Sequence, residues 1–152
     1  MVRKSEEKDC RAVYDLICDM ENKQLPYEIF EKIYQKQLQN PDMYCLIEEE
    51  GGNVRAMLNL RCEEQLHHCE CIAEVMEFVV SAAYRNQKVG QRMFAEAKQV
   101  ALEHGCSQIE LATNQLRKDA HRFYFREGMH NFHYKLSQRL IVEDSGENIL
   151  GR

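Results

Sequence analysis

Apolar residues along the chain follow two periods, one of helices and one of strands. Val13, Leu16, Ile17 and Met20 recur at the spacing that lines one helix face, and Phe30, Ile33, Tyr34 and Leu38 repeat it after Pro26. Asn40-Pro41 stops the second helix, because proline cannot continue the hydrogen-bond ladder. Residues 43–48 and 54–62 then read as strands joined by Gly51-Gly52-Asn53, types that accept the positive φ of a hairpin turn. A further turn is expected near residues 63–68, followed by a strand over 71–80, while residues 2–4 suit a short first strand. Val89, Met93, Ala97 and Val100 return to helical spacing over residues 89–104, with Gly105 as the C-terminal cap. Residues 107–112 are strand-like. Ala120, Phe123 and Tyr124 share a face of a helix that Gly128 ends, and residues 132–136 alternate as a last strand. The pattern predicts a mixed α/β fold with helices on both faces of one sheet, formed by a single domain over 1–140. The polar segment 141–152 is expected to be a mobile tail.

Composition narrows the classes of function. A chain of 152 residues buries about two thirds of the surface its unfolded form exposes, so it needs neither disulfide nor metal to hold together. Its 20 basic and 25 acidic residues give a net charge of -5, which argues against nonspecific binding to nucleic acid or to an anionic membrane. No apolar run approaches the ~20 residues of a membrane span, and Met-Val-Arg-Lys-Ser-Glu-Glu lacks a signal-peptide core, so a cytoplasmic location is expected. The seven cysteines then read as reduced thiols packed as small apolar groups. Cys62, His67, His68, Cys69 and Cys71 offer metal-ligand chemistry, but their spacing matches no zinc pattern, and Cys69 and Cys71 would share a strand face. No metal is expected.

The junction at residues 84–93 carries the most chemistry. The apolar run 75–80 passes through a loop into a helix whose first amides lack carbonyl partners and whose dipole places about half a positive charge there. Arg85, Lys88 and Arg92 add full charges, so a diphosphate would meet directional hydrogen bonds and long-range attraction together.

Two motifs resemble the GNAT superfamily of acetyl-coenzyme A-dependent N-acetyltransferases. Arg85-Asn86-Gln87-Lys88-Val89-Gly90 resembles the pyrophosphate loop of that family, and residues 119–129, with Ala120, Tyr124 and Gly128-Met129, resemble its later signature. The resemblance implies a central, mostly antiparallel twisted sheet of six to seven strands with about four helices on both faces. It also implies acetyl-coenzyme A as cosubstrate, an amine as acceptor, no metal, and no nucleic-acid or membrane partner, and it leaves a homodimer open. Arg85, Asn86, Gln87, Lys88, Val89, Gly90 and Gln91 would bind the diphosphate, and the backbone of Phe78, Val79 and Val80 would meet the pantetheine arm. That arm requires the sheet to open beyond Val80. Asn114 would add a pantetheine contact, or simply form a turn, and Arg117, Lys118 and Arg122 are either a solvated run or contacts to the 3′-phosphate. Lys88 departs from the family pattern, standing where the first glycine is found. A right-handed conformation is expected for it, since a left-handed one would cost about 1 kcal/mol or more.

The reaction so implied needs a neutral amine. An amine of pKa ~10.4 is neutral about once in 2,500 at pH 7, a shortage worth ~4.6 kcal/mol that a positioned carboxylate relieves. Glu74 and Glu77 are the candidates; three apart on a regular strand, they are expected on opposite faces. Glu74 resembles the strand glutamate that histone-acetyltransferase-like members use as base. Tyr124 matches the family position of the acid that protonates the departing thiolate, although an aromatic at helical spacing also suits core packing. Cys106 lacks an indicated His partner, so direct transfer in a ternary complex is expected rather than an acyl-enzyme. Glu63, Glu64, Glu70 and Glu74 hint at a cationic acceptor. A different class of function, an acyl-coenzyme A-binding sensor without turnover, is compatible with Lys88 and an open choice of base.

Overall fold

The alternating and helical periods resolve into nine main elements in a computed structural model, which describes residues 1–141. They are β1 (Val2–Lys4), α1 (Cys10–Glu21), α2 (Tyr27–Gln39), β2 (Met43–Glu50), β3 (Asn53–Gln65), β4 (Glu70–Val80), α3 (Val89–Glu103), β5 (Cys106–Leu111) and α4 (Lys118–Arg126). Short 3-10 turns precede α1 and follow β4. The chain forms two compact units, Met1–Leu111 and Ala112–Arg152. Residues 142–152, most of the expected tail, lie outside the described residues.

The first unit holds a five-stranded sheet in the order β1-β2-β3-β4-β5. Its first four strands pair antiparallel, as short connections allow, and β5 joins β4 in parallel after the α3 crossover. Gly51 and Gly52 turn the β2-β3 hairpin at φ 59 and 83, which only a residue without Cβ adopts freely.

Register fixes which side chains share a face. Ile47, Met57 and Val79 lie side by side across β2, β3 and β4, and they form one core with Cys10, Val13 and Leu16 of α1 and Tyr34 of α2. Leu46, Leu58 and Phe78, next in register, point to the opposite side, where Phe78 stacks on Phe94 of α3 with ring centroids 6.4 Å apart. Each large apolar side chain so buried contributes about 1.5–3 kcal/mol. Two helices therefore cover one face of the sheet and α3 the other.

Three expectations need correction. The sheet has five strands among the described residues, not six to seven, and residues 132–136 form no strand. Phe132, Tyr134 and Leu136 are 80%, 91% and 92% exposed, and an alternating run without a neighbouring strand has no ladder to join. β3 also runs to Gln65, so Cys69 falls in the following turn at φ 52 and shares no strand face with Cys71. Cys71 lies instead beside Cys106, with sulfurs 3.3 Å apart.

Candidate functional site

α3 begins where the loop after β4 turns sharply. The first intrahelical bond runs from the Arg92 amide to the Lys88 carbonyl at 3.2 Å, so the amides of Val89, Gly90 and Gln91 stand ahead of the ladder without helical partners. Asn86 and Lys88 both adopt left-handed φ, 64 and 63, and successive turns of this kind gather backbone amides into an anion-binding concavity. The right-handed conformation expected for Lys88 is thus overturned: it takes the conformation its glycine counterpart would, because the chain must reverse hand to enter α3. Arg85, Asn86, Gln87, Lys88 and Gln91 are exposed, Gly90 is half-buried, and the Val89 side chain is packed in the core, leaving only its backbone for a ligand.

Arg92 does not stand free beside these amides. Its guanidinium reaches Glu48 Oε1 at 2.7 Å through Nη2 and the Gln87 carbonyl at 3.2 Å through Nη1, tying the loop to the sheet. Glu48 is 1% exposed and also faces Arg55 Nη2 at 3.4 Å, while Arg55 lies over the Tyr84 ring. This buried network braces the loop from below.

β4 has an open edge beside the loop. Among the described residues, β5 pairs with β4 only along Cys71 to Val75, and β4 continues through Val80 against β3 alone. The divergence begins earlier than the expected point beyond Val80. The Ser81 amide donates to the Arg55 carbonyl at 2.8 Å on the β3 side. By the alternation of a strand, the amides and carbonyls of Phe78 and Val80 therefore face the open edge, and those of Val79 face β3.

The divergence coincides with a bulge. Asn59 pairs with Glu77 but Leu60 with Val75, so Met76 is an extra residue in β4, and its side chain is 40% exposed. The expected placement of Glu74 and Glu77 on opposite faces is overturned by this residue: Glu74 pairs with Arg61 and Glu77 with Asn59, so both carboxylates lie on the α1-α2 side. Their surroundings differ. Glu74 is ion-paired to Arg61 Nη2 at 2.7 Å, with both side chains partly exposed. Glu77 accepts a hydrogen bond from Asn59 Nδ2 at 3.0 Å, and Asn59 Nδ2 also donates to Gln37 Oε1 of α2 at 2.9 Å. Burial pushes the Glu77 carboxyl above the ordinary glutamate value, partly opposed by the Asn59 hydrogen bond.

Glu77, Asn59 and Gln37 form the polar side of a cavity of about 200 Å³ between the first two helices and the sheet. Phe30, Leu38, Met43 and Met57 are among its apolar walls. A half-desolvated carboxylate at the end of an apolar cavity suits removal of a proton from an amine.

In the second unit, Tyr124 lies on α4 with its ring edge-on to Phe123, centroids 5.5 Å apart, and burial raises its phenol pKa. It stays protonated at neutral pH, as a proton donor must. Asn114 Oδ1 accepts the Leu116 amide at 2.9 Å, a turn of the kind asparagine favours, and Arg122 pairs with Asp119 at 2.9 Å.

Sequence reasoning missed Glu48, Arg55, Asn59, Gln37 and Arg61. Only Asn59 carried a signal, as a polar residue inside the strand run Ala56-Met57-Leu58-Asn59-Leu60.

Known proteins share this fold. The model of the Acetyltransferase (GNAT) family matches residues 10–129. An aminoalkylphosphonate N-acetyltransferase from Salmonella typhimurium is 34% identical over 139 residues, which cover 91% of this chain and 90% of that protein. A transcriptional regulator from Bacillus halodurans C-125 superposes with a TM-score of 0.85 at 22% identity, over 91% of this chain and 98% of the other. Glucosamine-6-phosphate N-acetyltransferase from Arabidopsis thaliana gives 0.78 at 19% identity, over 93% and 98%. The two structures speak for the fold. The family match and the curated relative go further, and with the loop, the open strand edge and the bulge they lead to one conclusion: the chain belongs to the GNAT acetyltransferase family and is an acyltransferase.

Proposed function

We propose that the chain transfers an acetyl group from acetyl-coenzyme A to the primary amine of a small molecule or peptide, by direct attack within a ternary complex. The observation that carries this reading is Glu77, a half-buried carboxylate of raised pKa facing a cavity beside the open edge of β4. The proposal moves the base from Glu74, which the family resemblance favours, because Arg61 already neutralises Glu74.

In this reading the amides of Val89, Gly90 and Gln91 hold the diphosphate, with the Arg85 and Lys88 side chains adding charge. The edge-facing backbone of Phe78 and Val80 hydrogen-bonds the pantetheine arm, and an amide at that edge stabilises the tetrahedral oxyanion. A contact from Asn114 would use its side-chain nitrogen, since the Leu116 amide occupies its oxygen. The acceptor ammonium gives a proton to Glu77, and its nitrogen then attacks the thioester carbonyl. Collapse breaks the carbon-sulfur bond, Tyr124 protonates the departing thiolate, and the second proton shed by the nitrogen passes through solvent to restore the phenol. The family match runs through both units, which supports reading residues 1–140 as one catalytic domain. The relative named for aminoalkylphosphonates supports an acceptor whose amine sits on an alkyl chain.

The test is thiol release from acetyl-coenzyme A with a panel of primary amines, run beside thermal melting with coenzyme A. Turnover with at least one amine is expected. Stabilisation by coenzyme A without turnover on any amine would favour the sensor reading, for which the strained Lys88 of the loop speaks.

A further inference from the structure

Asn59 has a hydrogen-bonding arrangement that packing alone does not require. It is 6% exposed in the middle of β3, where an apolar residue would avoid the desolvation of an amide, costing about 1–3 kcal/mol when a partner is missing. Its Nδ2 nevertheless donates to two oxygens, Glu77 Oε2 at 3.0 Å and Gln37 Oε1 at 2.9 Å, while Oδ1 has no partner. The orientation of the amide is fixed by chemistry: a flipped Asn59 would set its oxygen against a carboxylate oxygen that can only accept. Gln37 sits on α2, in a turn that also carries Tyr34 and Leu38 into the core, so the anchor of Asn59 is itself held by a packed helix.

On the reading that Glu77 is the base, we infer that Asn59 is its positioning residue, holding Oε2 so that Oε1 is the oxygen offered to the amine, with Gln37 locking Asn59 from α2. Two single-atom contacts do this. A carboxylate on a strand otherwise swings about its terminal torsions, which are broad, and a base misplaced by a fraction of an ångström loses most of its advantage. The chain Gln37-Asn59-Glu77 also joins the second helix to the reacting centre, so movement of α2 changes the base directly. Other titratable groups lie near Glu77 without holding it: Glu21 of α1 repels it, its charge in turn raises the Cys45 thiol of β2, and Lys4 of β1 lines the same cavity.

The test compares Asn59→Leu, Asn59→Ser and Gln37→Leu with the unmodified chain. The acid limb of the kcat/KM profile for an amine should move upward by about one pH unit in Asn59→Leu, since a carboxylate loses a donor. Gln37→Leu should move it the same way by less, and should add little in the Asn59→Leu background, because both act through one bond. Asn59→Ser, which keeps a hydroxyl donor, should recover part of the shift and serves if the leucine variant does not fold. KM for acetyl-coenzyme A should stay within about twofold, as Asn59 lies away from the loop amides. The Glu77 titration, followed by NMR of protein labelled at glutamate Cδ, gives the same answer without turnover. An acid limb and titration that stay in place while melting temperature falls would show a merely structural Asn59. A titration that moves in a chain acetylating no amine would instead defeat the proposed function alone.

Discussion

Arg92, in the first turn of α3, holds Glu48 of β2 at a single oxygen, with Nε at 2.8 Å and Nη2 at 2.7 Å from Oε1. Glu48 is 1% exposed, so the pair pins the helix that starts at the proposed diphosphate site to the middle of the sheet. Removing Glu48 leaves the half-exposed Arg92 without its carboxylate and the nearly buried Arg55 with Glu50 alone. Glu48→Leu should lower stability by about 3 kcal/mol in urea unfolding, and should raise the Kd for coenzyme A as the loop loosens. A loss below about 1 kcal/mol would mean that water already reaches Glu48 and the pair acts as a surface bridge.

Lys88 has φ 63 and is exposed, so its strain can be relieved without disturbing packing. Lys88→Gly removes about 1–2 kcal/mol of left-handed strain and gives back about half of it through the freer unfolded chain. A net gain of up to about 1 kcal/mol is expected in denaturant melts. Lys88→Ala keeps the strain and should show no gain, and coenzyme A affinity should drop modestly in both as one cation is lost.

Glu77 links activity to stability with opposite signs. Its folded pKa is raised above 4.5, so the stability it contributes is fully present below 4.5 and is lost as pH rises through the folded value. Glu77→Gln escapes that loss: its melting temperature should exceed that of the unmodified chain at pH 8 and converge with it near pH 4. Its kcat/KM should fall by about 10²–10⁴, and the acid limb should vanish. Glu74→Gln, which leaves Arg61 unpaired, should keep both the limb and most of the activity.

Tyr124 is pushed toward the neutral phenol by burial, so it is protonated across the working range. Tyr124→Phe should lower kcat by about 10²-fold or more while KM for acetyl-coenzyme A changes little. Unchanged kcat would assign the ring to packing against Phe123.

The thiols should separate by reactivity. Burial pushes Cys45 and Cys71 up to about 11, leaving about one thiolate in three thousand at pH 7.5, whereas Cys69 is exposed in its turn. Iodoacetamide at pH 7.5 should label Cys69 first by peptide mass spectrometry, and Cys45 and Cys71 only after unfolding or at alkaline pH.

The elements that could be read from sequence are those set by repeated side chains. Val89, Met93, Ala97 and Val100 announce α3 because four residues vote for one face, and Gly51-Gly52 announces the hairpin because no other residue type fits as cheaply. The site depends on single residues that do not repeat. Nothing in Glu74-Val75-Met76-Glu77 marks Met76 as the extra residue, because a bulge is a property of two strands in register. Lys88 shows the same limit in the backbone: its side chain favours a right-handed conformation locally, and only the path from β4 into α3 imposes the other hand. Residues 132–136 show the converse, a strand-like pattern that forms no strand among the described residues.

The bulge at Met76 gives β4 a residue that its pairing with β3 does not use. Met76 is partly solvent-facing, so leucine, glutamine or lysine there would keep the strand in phase. Deleting the residue would close the bulge and leave Val75 between Glu74 and Glu77 in regular alternation, so both carboxylates would keep the α1-α2 side and the pairs Val75 with Leu60 and Glu74 with Arg61 would stand. Substitution at this position is therefore cheap, and loss of the residue should keep the faces of Glu74 and Glu77 while straightening β4 at the point where it parts from β5.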